Sequence, residues 1–83
     1  MNLTLKYFAS IREAIGLSSE NVTTSATTLK ALREELISRG GVYAETLAYG
    51  RAVRIALNHD LSEESVALIE GGEVAFFPPV TGG

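Results

Sequence analysis

Glu73-Val74-Ala75-Phe76-Phe77-Pro78-Pro79-Val80-Thr81-Gly82-Gly83 closes the sequence, and the fold is read outward from it. The stretch opens as a strand. Val74 and Phe76 fall on one face of an extended chain, Ala75 and Phe77 on the other. Pro78-Pro79 ends the ladder, because proline has no N–H to donate, and it favours stiff polyproline-type extension. Val80, Thr81, Gly82 and Gly83 follow. Neither glycine has a Cβ, so the backbone can thread a channel too narrow for other residues. A hydrophobic strand that projects Gly-Gly through a proline pair reads as a functional tail over 80–83, expected to be exposed and poorly ordered. A frayed end is the plain alternative.

A second strand is expected at 2–9. Leu3, Leu5 and Tyr7 share its core face, with Asn2, Thr4, Lys6 and Phe8 on the other. Ser10-Ile11-Arg12-Glu13 has the capping-box pattern, opening a short helix that Gly16 ends. Residues 18–24 are polar and β-branched and read as an edge strand antiparallel to the first. Thr28 is the expected N-cap of the main helix. Leu29, Leu32 and Leu36 make its apolar stripe, with Ile37 beside them and Lys30, Arg33, Glu34 and Glu35 assigned to solvent. Gly40-Gly41 stops this helix. Residues 42–49 read as a helical turn or loop anchored by Val42 and Leu47.

Residues 51–57 alternate as a strand, Asn58-His59-Asp60 is a turn, and Leu61-Ser62 starts a short return strand. Leu68-Ile69 pins the next loop. The two most apolar strands are the first and the last. Placing them together in the sheet's middle makes them parallel, with a right-handed crossover. The result is an α+β, β-grasp (ubiquitin-like) plan: a mixed sheet with one main helix on one face, in a single domain over 1–83.

Composition removes several function classes. The chain has no cysteine and a single histidine, His59. Disulfides, thiol chemistry and Cys- or His-rich metal sites are therefore not expected. A net charge of −3 argues against nucleic acid binding, which calls for a basic face. No secretion signal or membrane-length apolar run is read, so a cytoplasmic setting is expected.

With the Phe77-Pro78-Pro79-Val80-Thr81-Gly82-Gly83 ending, the chain resembles the small subunits of molybdopterin synthase, a family of ubiquitin-like sulfur carriers. Tyr7-Phe8-Ala9 with Ile11-Arg12-Glu13, and Thr28-Leu29-Lys30-Ala31-Leu32, match the family's opening and main helix. Residues 17–27 and 40–57 carry no recognisable signature. The resemblance implies that Gly83 is adenylated with ATP by a ubiquitin-activating-like enzyme. A sulfurtransferase-supplied persulfide then converts it to a thiocarboxylate. It further implies that the tail enters a large subunit, in a heterotetramer of two small and two large chains, and gives sulfur to a cyclic pyranopterin.

The chain itself then holds no cofactor or metal and is not catalytic alone. Phe8 and Phe77 fall on the polar phase of strands expected to be neighbours, and such an exposed apolar patch marks an interface. The resemblance adds Leu61, and the stalk Pro78-Pro79 belongs with them. Three other functions remain open: a protein modifier conjugated through Gly83, a carrier for thiamine or cysteine synthesis, and an interaction module with an inert tail.

Overall fold

The computed structural model describes residues 1–79, so the expectations for Val80, Thr81, Gly82 and Gly83 lie outside the described residues. The elements run β1 (Asn2–Tyr7), α1 (Ala9–Ile15), β2 (Ser19–Thr23), α2 (Leu29–Ile37), α3 (Gly41–Leu47), β3 (Arg54–Leu57), β4 (Asp60–Leu61) and β5 (Glu73–Phe77). The strands form one sheet in the order β2-β1-β5-β3-β4. β1 and β5 are parallel neighbours at its centre, and their registers Leu5↔Val74 and Tyr7↔Phe76 align the two apolar faces. The remaining pairings are antiparallel. This is the expected β-grasp arrangement.

The core lies on one side of the sheet. Leu3, Leu5 and Tyr7 of β1, Ile55 and Leu57 of β3, and Val74 and Phe76 of β5 are buried against Leu29, Leu32 and Leu36 of α2. Each fully buried aliphatic or aromatic side chain contributes roughly 1.5–3 kcal/mol relative to exposure, so this cluster carries the fold. α2 starts as expected: the Thr28 hydroxyl accepts from the Ala31 N–H at 3.2 Å. Two more N–H groups of its first turn are satisfied by the chain before β5, Leu29 by the Val66 carbonyl and Lys30 by that of Glu64.

Several local expectations are corrected. The helix after β1 has no capping box. The Phe8 N–H still bonds the Phe76 carbonyl at 3.1 Å, Ala9 turns the chain at φ 50°, and the Phe8 carbonyl receives Ile11 and Arg12. The helix therefore starts at Ala9 with Phe8 as its cap residue, which leaves Ser10 inside the first turn. Gly16 ends the helix in left-handed geometry, as its lack of Cβ predicts.

Arg33 is not on the solvent side; it is 4% exposed. Its position, four residues after Leu29, puts it on the apolar stripe itself. Val42 is exposed, because α3 turns Tyr43 and Leu47 inward instead. Ile69 is exposed while Leu68 is buried. The strand expected over 51–57 is confined to Arg54–Leu57.

Candidate docking face and tail base

The sheet's outer face is built by register. In-register partners share a face, so Lys6↔Ala75, Ala75↔Ala56 and Ala56↔Leu61 form one row across four strands. Phe77↔Arg54 forms the next row towards the end of β5. Phe8 is level with Phe77, one residue past the Tyr7↔Phe76 pair. Its extended backbone, φ −126° and ψ 156°, continues the pleat of β1.

The structure thus brings Phe8, Phe77 and Leu61 to one face, through three different strands or strand ends. Their exposures differ. Phe8 is 47% and Leu61 67% exposed, while Phe77 is half-buried. Phe77 is therefore a partly packed member of the patch rather than a free ring. Pro78 and Pro79 are also half-buried. Pro78 lines a cleft with Ser10, Ile11 and Ala14 of α1 and with Arg51, so the start of the stalk faces α1 across that cleft.

Sequence reasoning missed the floor of this face. Ala56 and Ala75 are buried even though, among the described residues, the helices pack on the other side, and the longer Lys6, Phe77, Arg54 and Leu61 neighbour them in register. Small side chains thus form the floor of this face, with Leu61 and Phe77 as apolar and Lys6 and Arg54 as basic neighbours in register. The available signal was the Ala-for-larger choice at the outward phase of two adjacent central strands.

Leu61 owes its position to a tight hairpin. Leu57 pairs with Asp60, leaving Asn58 and His59 as a two-residue loop. Both have positive φ, 49° and 73°, which is the twist that such a loop requires. The Asn58 side chain also accepts the Glu73 N–H at 2.9 Å, tying the loop to the start of β5.

The tail end of the sheet is braced from within. The Glu20 carboxylate on β2 accepts from the Tyr7 hydroxyl at 2.8 Å, the Tyr43 hydroxyl at 2.7 Å and Arg39 at 3.0 Å. Tyr7 stacks on Phe76 of β5 with ring centroids 5.8 Å apart. Burial works against the charge on Glu20, but the bonds from Tyr43, Arg39 and Tyr7 win and hold its carboxyl below the ordinary value. Burial first, and then the Glu20 carboxylate, push the Tyr7 hydroxyl far up, so it acts as a hydrogen-bond donor. Among the described residues no group of His, Cys, Asp and Glu could hold a metal.

Comparison with known proteins supplies the family. The ThiS family matches residues 5–83. The molybdopterin synthase sulfur carrier subunit of Haemophilus influenzae is 38% identical over 81 residues, 98% of this chain and 99% of that protein. Its Escherichia coli counterpart is 38% identical over 77 residues, 93% of this chain and 94% of that protein. Among solved structures, the complex of subunits 1 and 2 of molybdopterin-converting factor from Helicobacter pylori contains a chain matched at TM-score 0.69 and 28% identity, with full coverage of both chains. SAMP1 from Haloferax volcanii shares the fold at TM-score 0.78 and 22% identity, again with full coverage of both. A parallel β1–β5 core running into the Phe77-Pro78-Pro79 stalk, together with these matches, establishes that the chain belongs to the ThiS family.

Proposed function

We propose that this chain is the sulfur carrier subunit of a molybdopterin synthase and that Gly83 is its working end. The observation that carries the reading is the match to two sulfur carrier subunits over more than nine-tenths of the chain. The geometry supports it. The central β1–β5 pair sets Phe8, Phe77 and the base of the tail at one end of the sheet. A partner that docks there receives the tail directly.

The chemistry follows from what a carboxylate lacks. Oxide is a poor leaving group, so the Gly83 carboxylate must first attack ATP in an adenylating partner. That step forms an acyl-adenylate and releases pyrophosphate. A persulfide sulfur, supplied through a sulfurtransferase, then attacks the acyl carbon and AMP leaves. Two-electron reduction of the resulting acyl-disulfide by a thiol releases the thiocarboxylate. The thiocarboxylate is a soft nucleophile that carries sulfur without releasing sulfide. In the large subunit it donates sulfur to a cyclic pyranopterin, and two carriers are consumed per dithiolene.

On this reading the chain binds no cofactor, works in the cytoplasm, and contributes a reactive end and a docking face. The acids, bases and pterin pocket belong to its partners. The subunit 1–subunit 2 complex of the Helicobacter pylori factor supports a large-subunit partner, and a heterotetramer of two small and two large chains is the proposed assembly.

The test is reconstitution with an adenylating enzyme, ATP and a sulfur donor, followed by intact mass and then pterin product with the large subunit. The full chain should gain the mass difference between sulfur and oxygen. The chain lacking Gly83 should gain nothing, because its carboxylate lies about 3.3 Å short of the reacting phosphate. Gly82→Leu should also be impaired, since misplacing a reacting atom by about 1 Å can cost on the order of 10²-fold in rate. Normal sulfur loading and product formation without Gly83 would end the carrier reading. Gly-Gly remnants on target lysines in place of the thiocarboxylate would replace it with a protein modifier.

A further inference from the structure

Strand β5 is bracketed by two cations. Lys6 stands beside it on β1, in register with Ala75, and Arg54 stands beside it on β3, in register with Phe77. Both project from the outer face, on either side of the Ala75–Phe77 strip. Neither belongs to an ion pair among the described residues. The ion pairs formed there are Arg33–Glu64 and Arg39–Glu20, and His59 Nδ1 lies 3.6 Å from Glu73.

The acids that share a cleft with Arg54 or the outer face of β5 are held elsewhere or left unpaired to these cations. Glu64 shares a cleft with Arg54, but its carboxylate is held by Arg33 at 2.6 Å. Glu63 lines the same cleft without pairing to Arg54. Glu73 lies on the outer face two residues before Ala75, towards the other end of the sheet, beside His59 at 3.6 Å. An acidic chain, net −3, therefore keeps two unpaired cations beside the Ala75–Phe77 strip, with the one outer-face acid of β5, Glu73, a pleat further back.

We infer that Lys6 and Arg54 are the electrostatic half of this interface, and that they select a partner whose socket for Phe77 and Leu61 is flanked by two carboxylate groups. This rests on the large-subunit reading above. The apolar side chains Leu61 and Phe77 supply contact area but little orientation. A cation on each side of β5 fixes the rotation of the partner about the strand, and with it the direction in which the Pro78-Pro79 stalk enters. Charge complementarity of this kind acts mainly on the rate and register of encounter. Lys6 is half-buried on this face, and a lysine so placed can bury its stem while its ammonium stays within reach of a partner.

The experiment measures association kinetics between the purified chain and the purified large subunit across a range of salt. The wild-type association rate should fall at least tenfold from low to high salt, as screening shortens the reach of the pair of charges. Lys6→Glu and Arg54→Glu should each slow association about tenfold at low salt and flatten the salt dependence, with dissociation changed less. The milder Lys6→Gln and Arg54→Gln, checked for folding by circular dichroism, should move in the same direction. Lys30→Glu on the exposed start of α2 is the control and should match wild type.

If wild type does not bind the large subunit at all, the partner reading fails. If it binds with a salt-independent rate that both charge reversals leave unchanged, that reading stands and this inference is overturned. Self-association of the chain that the reversals abolish, with binding to the large subunit unaffected, would also overturn it, in favour of a second copy on this face.

Discussion

Arg33 does at one position what the helix pattern alone does not suggest. Its Nε donates to the Leu47 carbonyl at 2.7 Å and its Nη2 to the Ala48 carbonyl at 2.9 Å, while Nη1 meets Glu64 at 2.6 Å. It thereby caps the C-terminal end of α3 and ties down the segment before β5. The guanidinium also lies 4.8 Å from the centre of the Tyr49 ring. Arg33→Ala should cost about 2–3 kcal/mol, less than a fully buried pair because the freed Glu64 can rehydrate. Arg33→Lys should recover little, since an ammonium cannot fork to two carbonyls and a carboxylate. Urea unfolding of the variants checks both.

Glu20 makes a pH-dependent contribution. Its folded-state carboxyl sits below the ordinary 4.5, so its stabilisation is fully present above that value and is lost as pH falls through the folded value. Glu20→Gln should cost about 1–2 kcal/mol at neutral pH, partly discounted because Arg39 is solvent-accessible. The gap to wild type should close as pH drops below 4.5, read from paired urea titrations.

At the scale of elements, the β3–β4 hairpin and the start of α2 offer the sharpest tests. His59 holds φ 73°, a backbone that costs a side-chain-bearing residue roughly 1–2 kcal/mol. Its contact with Glu73 is long and its side chain is largely exposed, so little offsets that strain. His59→Gly should raise stability by about 0.5 kcal/mol, the strain relief less the entropy that glycine adds to the unfolded chain. A lower melting temperature would mean that the imidazole contact outweighs the strain. Thr28→Ala removes the cap on α2 and should cost about 1 kcal/mol in chemical unfolding. The two carbonyls that also serve that turn limit the loss.

For the whole molecule, folding and the proposed docking separate across the two faces of one sheet. Leu5, Val74 and Leu57 point into the core, while Lys6, Ala75, Ala56 and Leu61 in the adjoining row point out. Phe8→Ala and Leu61→Ala should leave unfolding free energy within about 0.5 kcal/mol of wild type. Each should weaken large-subunit binding by up to about 2 kcal/mol, measured by calorimetry. Phe77→Ala should lose both, because the ring is half-buried; about 1 kcal/mol of stability is the expected share. Ala75→Leu would add bulk to the alanine floor and should reduce binding with little change in fold. Unchanged affinity in that variant would show that no partner side chain enters there.

The sequence determined the β-grasp plan by itself, because period-2 alternation places a strand within 2–9, two residues longer than β1 proves to be, and another before the proline pair that stops it. It also determined the cap at Thr28, the stop at Gly16 and the resemblance carried by the tail motif, since each is a local pattern with a local cause. Whether Arg33 faced water or α3 was not local. Its place on the stripe acquired meaning only when the carbonyls of Leu47 and Ala48 were brought within reach. Glu20 likewise reads as one more edge-strand acid until Tyr7, Tyr43 and Arg39 converge on it from three other segments. The docking face is the clearest case. Phe8 and Phe77 were legible as outward-facing, but the alanine floor and the Lys6–Arg54 bracket exist only through strand register, which pairs residues some 70 and 20 positions apart in the chain.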